Sequence, residues 1–336
     1  MREFLRQYTG AELLNPDMAL SRPLIQDFLF EEDSVLLVAP PKLGKSILTQ
    51  QVACALSSGQ DFLDTFEVPE PKVVWYFATE GKDHDLQNRF LRMSHGVDCN
   101  PNNLVLFCSA GFRFNTKKAM DELKRLIDVH RKNLPSLIIV DALYRAVKGS
   151  LKNDDVINEF NHTLGEVKDH CHAASWVVHH MKKQTRSQVD GSYFERSDEE
   201  TYGSAFIQAA VDHTYWLDKC KKDKRDIILK CDTQRSGNII DTMRLRLTEP
   251  DPLHFQIVSK HDGELIRVVN VLRNSPEGLT ITNLLKRTKL GRSVAYCVLK
   301  ELMGDGRVVK EGDKEKVFTF VKELPNLPNL TSVSQT

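Results

Sequence analysis

The chain has 336 residues, of which 41% are hydrophobic and 27% charged, and its 46 Lys or Arg are balanced by 46 Asp or Glu. That length exceeds one average domain, so a core of about 200 to 250 residues with a smaller second module is expected, and the composition excludes bulk disorder and a fibre. Net neutrality leaves any nucleic-acid contact to local basic patches.

No apolar run approaches the roughly 18 to 20 residues that would span a bilayer, and the start at Met1, Arg2, Glu3 and Phe4 lacks a signal peptide's apolar core. A cytoplasmic protein without membrane contact is expected. The seven cysteines (Cys54, Cys99, Cys108, Cys171, Cys220, Cys231, Cys297) are scattered, odd in number and without a Cys-x-x-Cys pair, which fits buried thiols better than a disulfide framework or a zinc module.

In chain order, residues 1–28 form a mixed N-terminal segment carrying Pro16 and Pro23. The apolar run at 34–38 predicts a buried strand, and a helix follows at 46–56 with apolar residues close to the spacing of one buried face. Strands at 73–79, 104–109, 137–141 and 175–180 alternate with helices at 83–94, 119–132 and 155–172. Continuously apolar strands separated by amphipathic helices predict an α/β fold with a mostly parallel central sheet covered on both faces. Strands at 214–217, 225–230 and 243–247 suggest an antiparallel finish, and the long polar stretch between Met181 and Gly203 reads as a functional loop or a disordered one.

Residues 262–323 carry three short helices (264–273, 281–288, 293–303) and two strands (307–310, 316–321), the pattern of a small C-terminal winged helix-turn-helix domain. The expected domains are therefore 1–28, a main domain at 29–259, the small domain at 262–323 and an unstructured tail at 324–336.

The most specific motif is Ala39, Pro40, Pro41, Lys42, Leu43, Gly44, Lys45 and Ser46, continued by Ile47, between a predicted strand and helix. It matches a phosphate-binding loop whose first glycine is replaced by alanine. Backbone N–H groups surround the phosphates in such a loop, Lys45 neutralises the β and γ groups, and the Ser46 hydroxyl ligates Mg2+. Asp141, ending the apolar run at 137–141, is the expected acid for the magnesium ion of bound ATP. Ala142 follows it where an AAA-type arrangement would carry the base. A general base is therefore sought at Glu80, directly after the 73–79 strand; a solvated glutamate at a helix start is the plainer alternative. His180 ends the strand after Asp141 and is the candidate γ-phosphate sensor. Its neighbour His179 points to the opposite strand face, which disfavours joint metal ligation.

Together these residues resemble the RecA-like ATPases, and among them the plasmid RepA-type hexameric helicases related to DnaB-type replicative helicases. The resemblance covers about residues 34–237. It rests on 39–46, on Glu80 with Arg89 nine residues on, on 137–141, and on Val178, His179 and His180 followed by a polar loop and Gly203, Ser204 and Ala205. It implies a homo-oligomeric ring, a hexamer, with ATP between subunits, Glu80 as base, His180 as sensor and Arg89 near the nucleotide. It also implies a basic finger acting on the neighbouring subunit's site. The matching segment is Thr233, Gln234, Arg235, Ser236 and Gly237, with Arg235 as the finger and Thr233 where relatives often carry a second basic residue. A solvated turn residue is the alternative for Arg235.

The family's DNA loops correspond to 148–155 and 181–202, where Lys148, Lys152, Lys182, Lys183 and Arg186 are available for phosphates. Glu195, Asp198, Glu199 and Glu200 count against a uniformly basic channel. Over 262–323 there are 12 Lys or Arg against 9 Asp or Glu, with Lys286, Arg287, Lys289 and Arg292 around the turn before the third helix and Lys310, Lys314 and Lys316 along the wing. Duplex DNA is one partner for such a unit and protein docking the other. The expectation is a Mg-ATP-dependent DNA motor, with single-stranded DNA passing through the ring. A non-unwinding RecA-fold ATPase and an ATP-controlled DNA-binding regulator are the competing readings.

Overall fold

Alternate residues of each apolar strand enter two different cores, because successive side chains of a strand point to opposite faces. Val35, Leu37 and Ala39 join one cluster and Leu36 and Val38 the other; Val74 and Tyr76 separate from Trp75 and Phe77 in the same way. A sheet buried on both faces needs continuously apolar strands.

The computed structural model describes residues 8–15, 22–109, 111–180, 206–220, 223–234, 242–248, 250–258, 264, 268, 269, 271, 272, 275, 277–304, 307–312 and 317–320. The chain divides into two units, Met1–Ile257 and Val258–Thr336. Among the described residues no helix is long and apolar enough to cross a membrane.

In the first unit the order is α1 (Gly10–Leu13), β1 (Pro23–Ile25), β2 (Leu29–Phe30), β3 (Ser34–Ala39), α2 (Lys45–Ser58), β4 (Val74–Ala78), α3 (Asp83–Met93), β5 (Leu104–Cys108) and α4 (Lys117–Val129). Then come β6 (Leu137–Asp141), α5 (Leu143–Ala146), α6 (Asp154–Cys171), β7 (Ala174–His180), α7 (Phe206–Ala209), β8 (His213–Lys219), β9 (Asp226–Gln234), β10 (Met243–Leu247) and β11 (Phe255–Val258). Nine strands make one sheet in the order β11-β10-β9-β8-β3-β7-β6-β4-β5. Pairing is parallel from β8 through β3, β7, β6 and β4 to β5, and antiparallel from β8 to β9 and from β9 to β10. The fold is α/β around a mostly parallel sheet, with β7 standing between the strand that precedes the 39–46 loop and the strand that ends at Asp141.

Helices cover both faces. Leu48, Val52, Ala55 and Leu56 of α2 belong to the first cluster, and Leu123 and Ile127 of α4 with Ile157, Phe160 and Leu164 of α6 to the second. Contrary to the single buried face expected from its apolar spacing, α2 is buried nearly all round, including Thr49, Gln50 and Gln51. Two of these polar groups are bonded inside: the indole N–H of Trp176 donates to Thr49 Oγ1 at 3.2 Å, and Gln51 pairs with the backbone of Phe255.

Several short elements, among them α1, β1, β2, α5, α7 and β11, leave no pattern in the sequence. The one-turn α5 and the four-residue β11 are too short to carry a period. The end of the N-terminal segment is core: Leu24, Ile25 and Phe28 are fully buried, and the Phe28 ring stacks on Tyr215 with centroids 4.6 Å apart. In addition β9 runs on to Gln234, beyond the expected 230, because β8 offers it partners as far as His213.

The second unit contains β12 (Leu279–Thr280), the helices Ile281–Thr288 and Arg292–Gly304, β13 (Val308–Glu311) and β14 (Val317–Phe320). The three strands pair antiparallel in the order β12-β14-β13. Its core gathers Val268, Leu272, Leu284, Val298, Leu299, Leu302 and Phe318. Thr280 Oγ1 accepts the Asn283 N–H at the start of the first helix, and Lys289, at φ 55°, ends it. The expected tail at 324–336 lies outside the described residues.

Candidate functional site

Parallel strands bring their carboxyl ends to one edge, which is where loops in such sheets hold ligands. Ala39 pairs with His180, and Ala78 pairs with Asp141, so the loop, His180, Asp141 and Glu80 all leave the sheet at the same edge. The Thr79 N–H donates to the Asp141 carbonyl at 2.9 Å and its hydroxyl to the Ala142 carbonyl at 2.8 Å, fixing the strand end from which Glu80 departs.

The loop turns through Lys42 at φ 62° and Gly44 at φ 84°, and Gly44 heads α2. Glycine is required at the second of these for two reasons. The left-handed backbone disfavours a side chain, and a Cβ there would lie 2.6 Å from the Phe255 ring. Pro41 and Lys42 are exposed, Pro40 and Gly44 half-buried, and Leu43 and Ile47 pack against the hydrophobic core. Lys45 is buried, with its Nζ donating to the carbonyls of Pro40 at 2.9 Å and Ala39 at 3.2 Å. Burial pushes its pKa down to about 8, against the opposing pull of Asp141 and Glu80.

Asp141 is buried, and its Oδ2 accepts the Tyr76 hydroxyl at 2.6 Å while Oδ1 has no protein partner. Burial raises its pKa; the Tyr76 and Ser46 hydroxyls, both near enough to favour the charged form, oppose the rise. An orphaned carboxylate oxygen beside the serine of a phosphate-binding loop fits a magnesium ion bound with a nucleotide. Ser46 and Asp141 are the residues that would hold it.

Glu80 is half-buried, and its Oε2 accepts the hydroxyl of Tyr144 at 2.5 Å. The ring of Tyr144 meets that of His180 edge to face at 5.0 Å. His180 is pushed toward its neutral form by burial and by Lys45, against Glu80. Arg89, on α3, lies beside Gly81 and is close enough to favour the Asp141 carboxylate.

The structure thus brings together Lys45, Ser46, Glu80, Arg89, Asp141 and His180. Lys148 and Lys152 are exposed on a separate loop before α6, which starts at Asp154 and so shortens the expected 148–155 loop. Arg292 is exposed at the start of a helix in the second unit. Lys182, Lys183, Arg186, Arg235 and the Gly203, Ser204 and Ala205 segment lie outside the described residues. Three contributors had escaped the sequence. Tyr76 carried one signal, a hydroxyl inside a buried strand that must find a partner; Tyr144 and Phe255 carried none.

Residues 8–186 match the family model described as an AAA domain. No curated protein sequence matches. Among solved structures, a KaiC-like protein from the hyperthermophilic archaeon Pyrococcus horikoshii OT3 is 11% identical, with 70% of this chain and 94% of that chain covered at a TM-score of 0.46. The RadB recombinase is 17% identical, with 68% and 92% covered at a TM-score of 0.46.

Proposed function

Because the chain belongs to the AAA domain family, we propose that it binds Mg-ATP at the 39–46 loop and hydrolyses it to drive movement along DNA, as a ring-forming motor of the replicative-helicase kind that its motifs resemble. The observation that carries this reading is the convergence of buried Lys45 and Asp141 with Glu80, which follows the end of the strand next to that of Asp141. Lys45 would neutralise the terminal phosphates, and Glu80 would take the proton of the attacking water. The magnesium ion, held by Ser46 and Asp141, would supply charge neutralisation on the phosphates. His180 would sense the γ-phosphate at the head of the 181–202 loop.

Arg235 is proposed as the finger that completes a neighbour's site, and a hexamer as the assembly; both rest on the motif resemblance alone. Lys148 and Lys152, with Lys182, Lys183 and Arg186, are the proposed contacts to single-stranded DNA. The second unit is proposed to be a winged helix. The helices Ile281–Thr288 and Arg292–Gly304 and the three antiparallel strands among its described residues, with Lys286, Lys289 and Arg292 exposed around the turn, support that reading and a duplex DNA contact. The same exposed cations favour a second reading, an ATP-controlled DNA-binding regulator that does not unwind.

The deciding experiment measures ATP turnover with and without single-stranded DNA, in samples sized by light scattering with Mg-ATP present. Strong stimulation from a hexamer-sized particle supports the motor. Nucleotide binding by a monomer or dimer, with no stimulation, rejects it in favour of the regulator.

A further inference from the structure

Tyr144 belongs to no motif that suggested the site, yet it touches two of the site's residues, Glu80 and His180. Its hydroxyl donates to Glu80 at 2.5 Å and its ring edge packs on His180. Arg145 lies with its guanidinium carbon 5.3 Å from the centre of the same ring. The residue sits on the one-turn α5, three positions after Asp141 and four before Lys148. In the loop that follows, Val147 and Leu151 are buried in the second cluster, Asn115 accepts the Lys148 N–H at 2.7 Å and donates to its carbonyl at 2.9 Å, and Lys148 and Lys152 are exposed.

We propose that Tyr144 is a latch on Glu80, a positioning residue that keeps the base engaged until the 148–153 loop moves. The proposal deepens the function above and rests on Glu80 being the base. A short bond from a neutral phenol to a carboxylate is charge-assisted and among the stronger hydrogen bonds a protein makes. Burial and the neighbouring Glu80 both raise the Tyr144 pKa, so the phenol keeps its proton and stays the donor. The bond engages Oε2 and fixes the orientation of the carboxylate, so Glu80 turns toward the attacking water only once the bond is given up. Turning a helix of four residues, which has no second turn to brace it, would withdraw the hydroxyl. A polyanionic strand drawing on Lys148 and Lys152 would supply the pull. Through the same ring the motion would reach His180, at the head of the second loop. No proton passes through Tyr144 in this scheme; it releases Glu80 to act.

The test compares Tyr144→Phe with the parent full chain in steady-state ATP turnover, with and without single-stranded DNA, alongside binding of a fluorescent ATP analogue. The phenylalanine keeps the ring over His180 and removes only the bond to Glu80. Basal kcat is expected to rise roughly tenfold, with the analogue's Kd unchanged and stimulation by DNA reduced by the same factor. A basal kcat that stays level or falls overturns the latch, as does a Kd that moves in step with kcat. Tyr144→Leu, which also loses the ring contact, should share the raised basal kcat if it folds. Glu80→Gln is run beside them: if it turns over like the parent, the assignment of the base has failed, a result separate from any seen at Tyr144.

Discussion

The side-chain amide of Gln51 holds both backbone polar groups of Phe255, donating to the Phe255 carbonyl at 2.9 Å and accepting the Phe255 N–H at 2.8 Å. The two residues are 204 positions apart, and this buried pair of bonds fastens β11 to α2. The Phe255 ring then fills the space where a side chain on Gly44 would go. The last strand of the first unit thereby forms part of the wall behind the phosphate-binding loop.

Gln51→Leu keeps most of the volume and strands two buried backbone groups, so it should lower stability by about 2 to 4 kcal/mol in urea unfolding. A loss below about 0.5 kcal/mol would show that the clamp is dispensable. Gly44→Ala adds a methyl in a left-handed position, which costs about 1 to 2 kcal/mol, and drives it into Phe255. Nucleotide affinity should fall roughly tenfold or more. Adding Phe255→Leu should recover part of that loss, and no recovery would mean the ring contact is not what confines the glycine.

Phe28 ties the N-terminal segment into the first unit through rings of Phe62, Tyr215 and Trp176, at centroid distances of 4.8, 4.6 and 5.9 Å. Phe28→Ala should cost about 3 to 5 kcal/mol, as expected for a large aromatic deleted from a packed core. Chemical denaturation followed by tryptophan fluorescence reads this directly, since Trp176 lies in the same stack. A change under about 1 kcal/mol would mean the segment is packed only loosely onto the sheet.

Asp226 is fully buried at the start of β9, between Arg244 and Arg246 on β10. Burial favours its neutral form, but Arg246 and Arg244 together outweigh that and hold its pKa below the ordinary carboxylate value of 3.8. The unfolded chain therefore takes up its proton at a higher pH than the folded one. The stabilisation is complete above the unfolded value and disappears as pH falls through the lower folded value, so the window lies below about pH 4. Asp226→Asn should cost about 2 to 3 kcal/mol at pH 7, less than for a fully enclosed pair because both arginines reach solvent. The difference between parent and variant should narrow below pH 4 in unfolding titrations. A gap that stays constant down to pH 2 would contradict the role of the charge.

Much of this molecule was legible because its signals are local. An apolar run followed by a glycine, a lysine and a serine has a mechanical meaning wherever it occurs, and Asp141 stands out as the charge that ends an otherwise apolar strand. The two-sided sheet followed from strands too apolar to face water. Contacts that join distant segments left no such trace. Tyr144 looks like any aromatic after a strand, and Gln51 like a polar residue on the outer side of a helix, because nothing nearby in sequence reveals that α2 has no outer side.

By itself, then, the sequence determined the phosphate-binding loop, the acid opposite it, the alternating α/β order and the small second unit, all features whose physics is set within a few residues. Only the tertiary structure decided which strand lies beside which, and hence that Glu80 shares the edge with Asp141. It alone put the Tyr144 hydroxyl on Glu80 and Phe255 against Gly44. Those relationships depend on register and burial across separations of 64 and 211 residues, and chemistry at that range is fixed by packing.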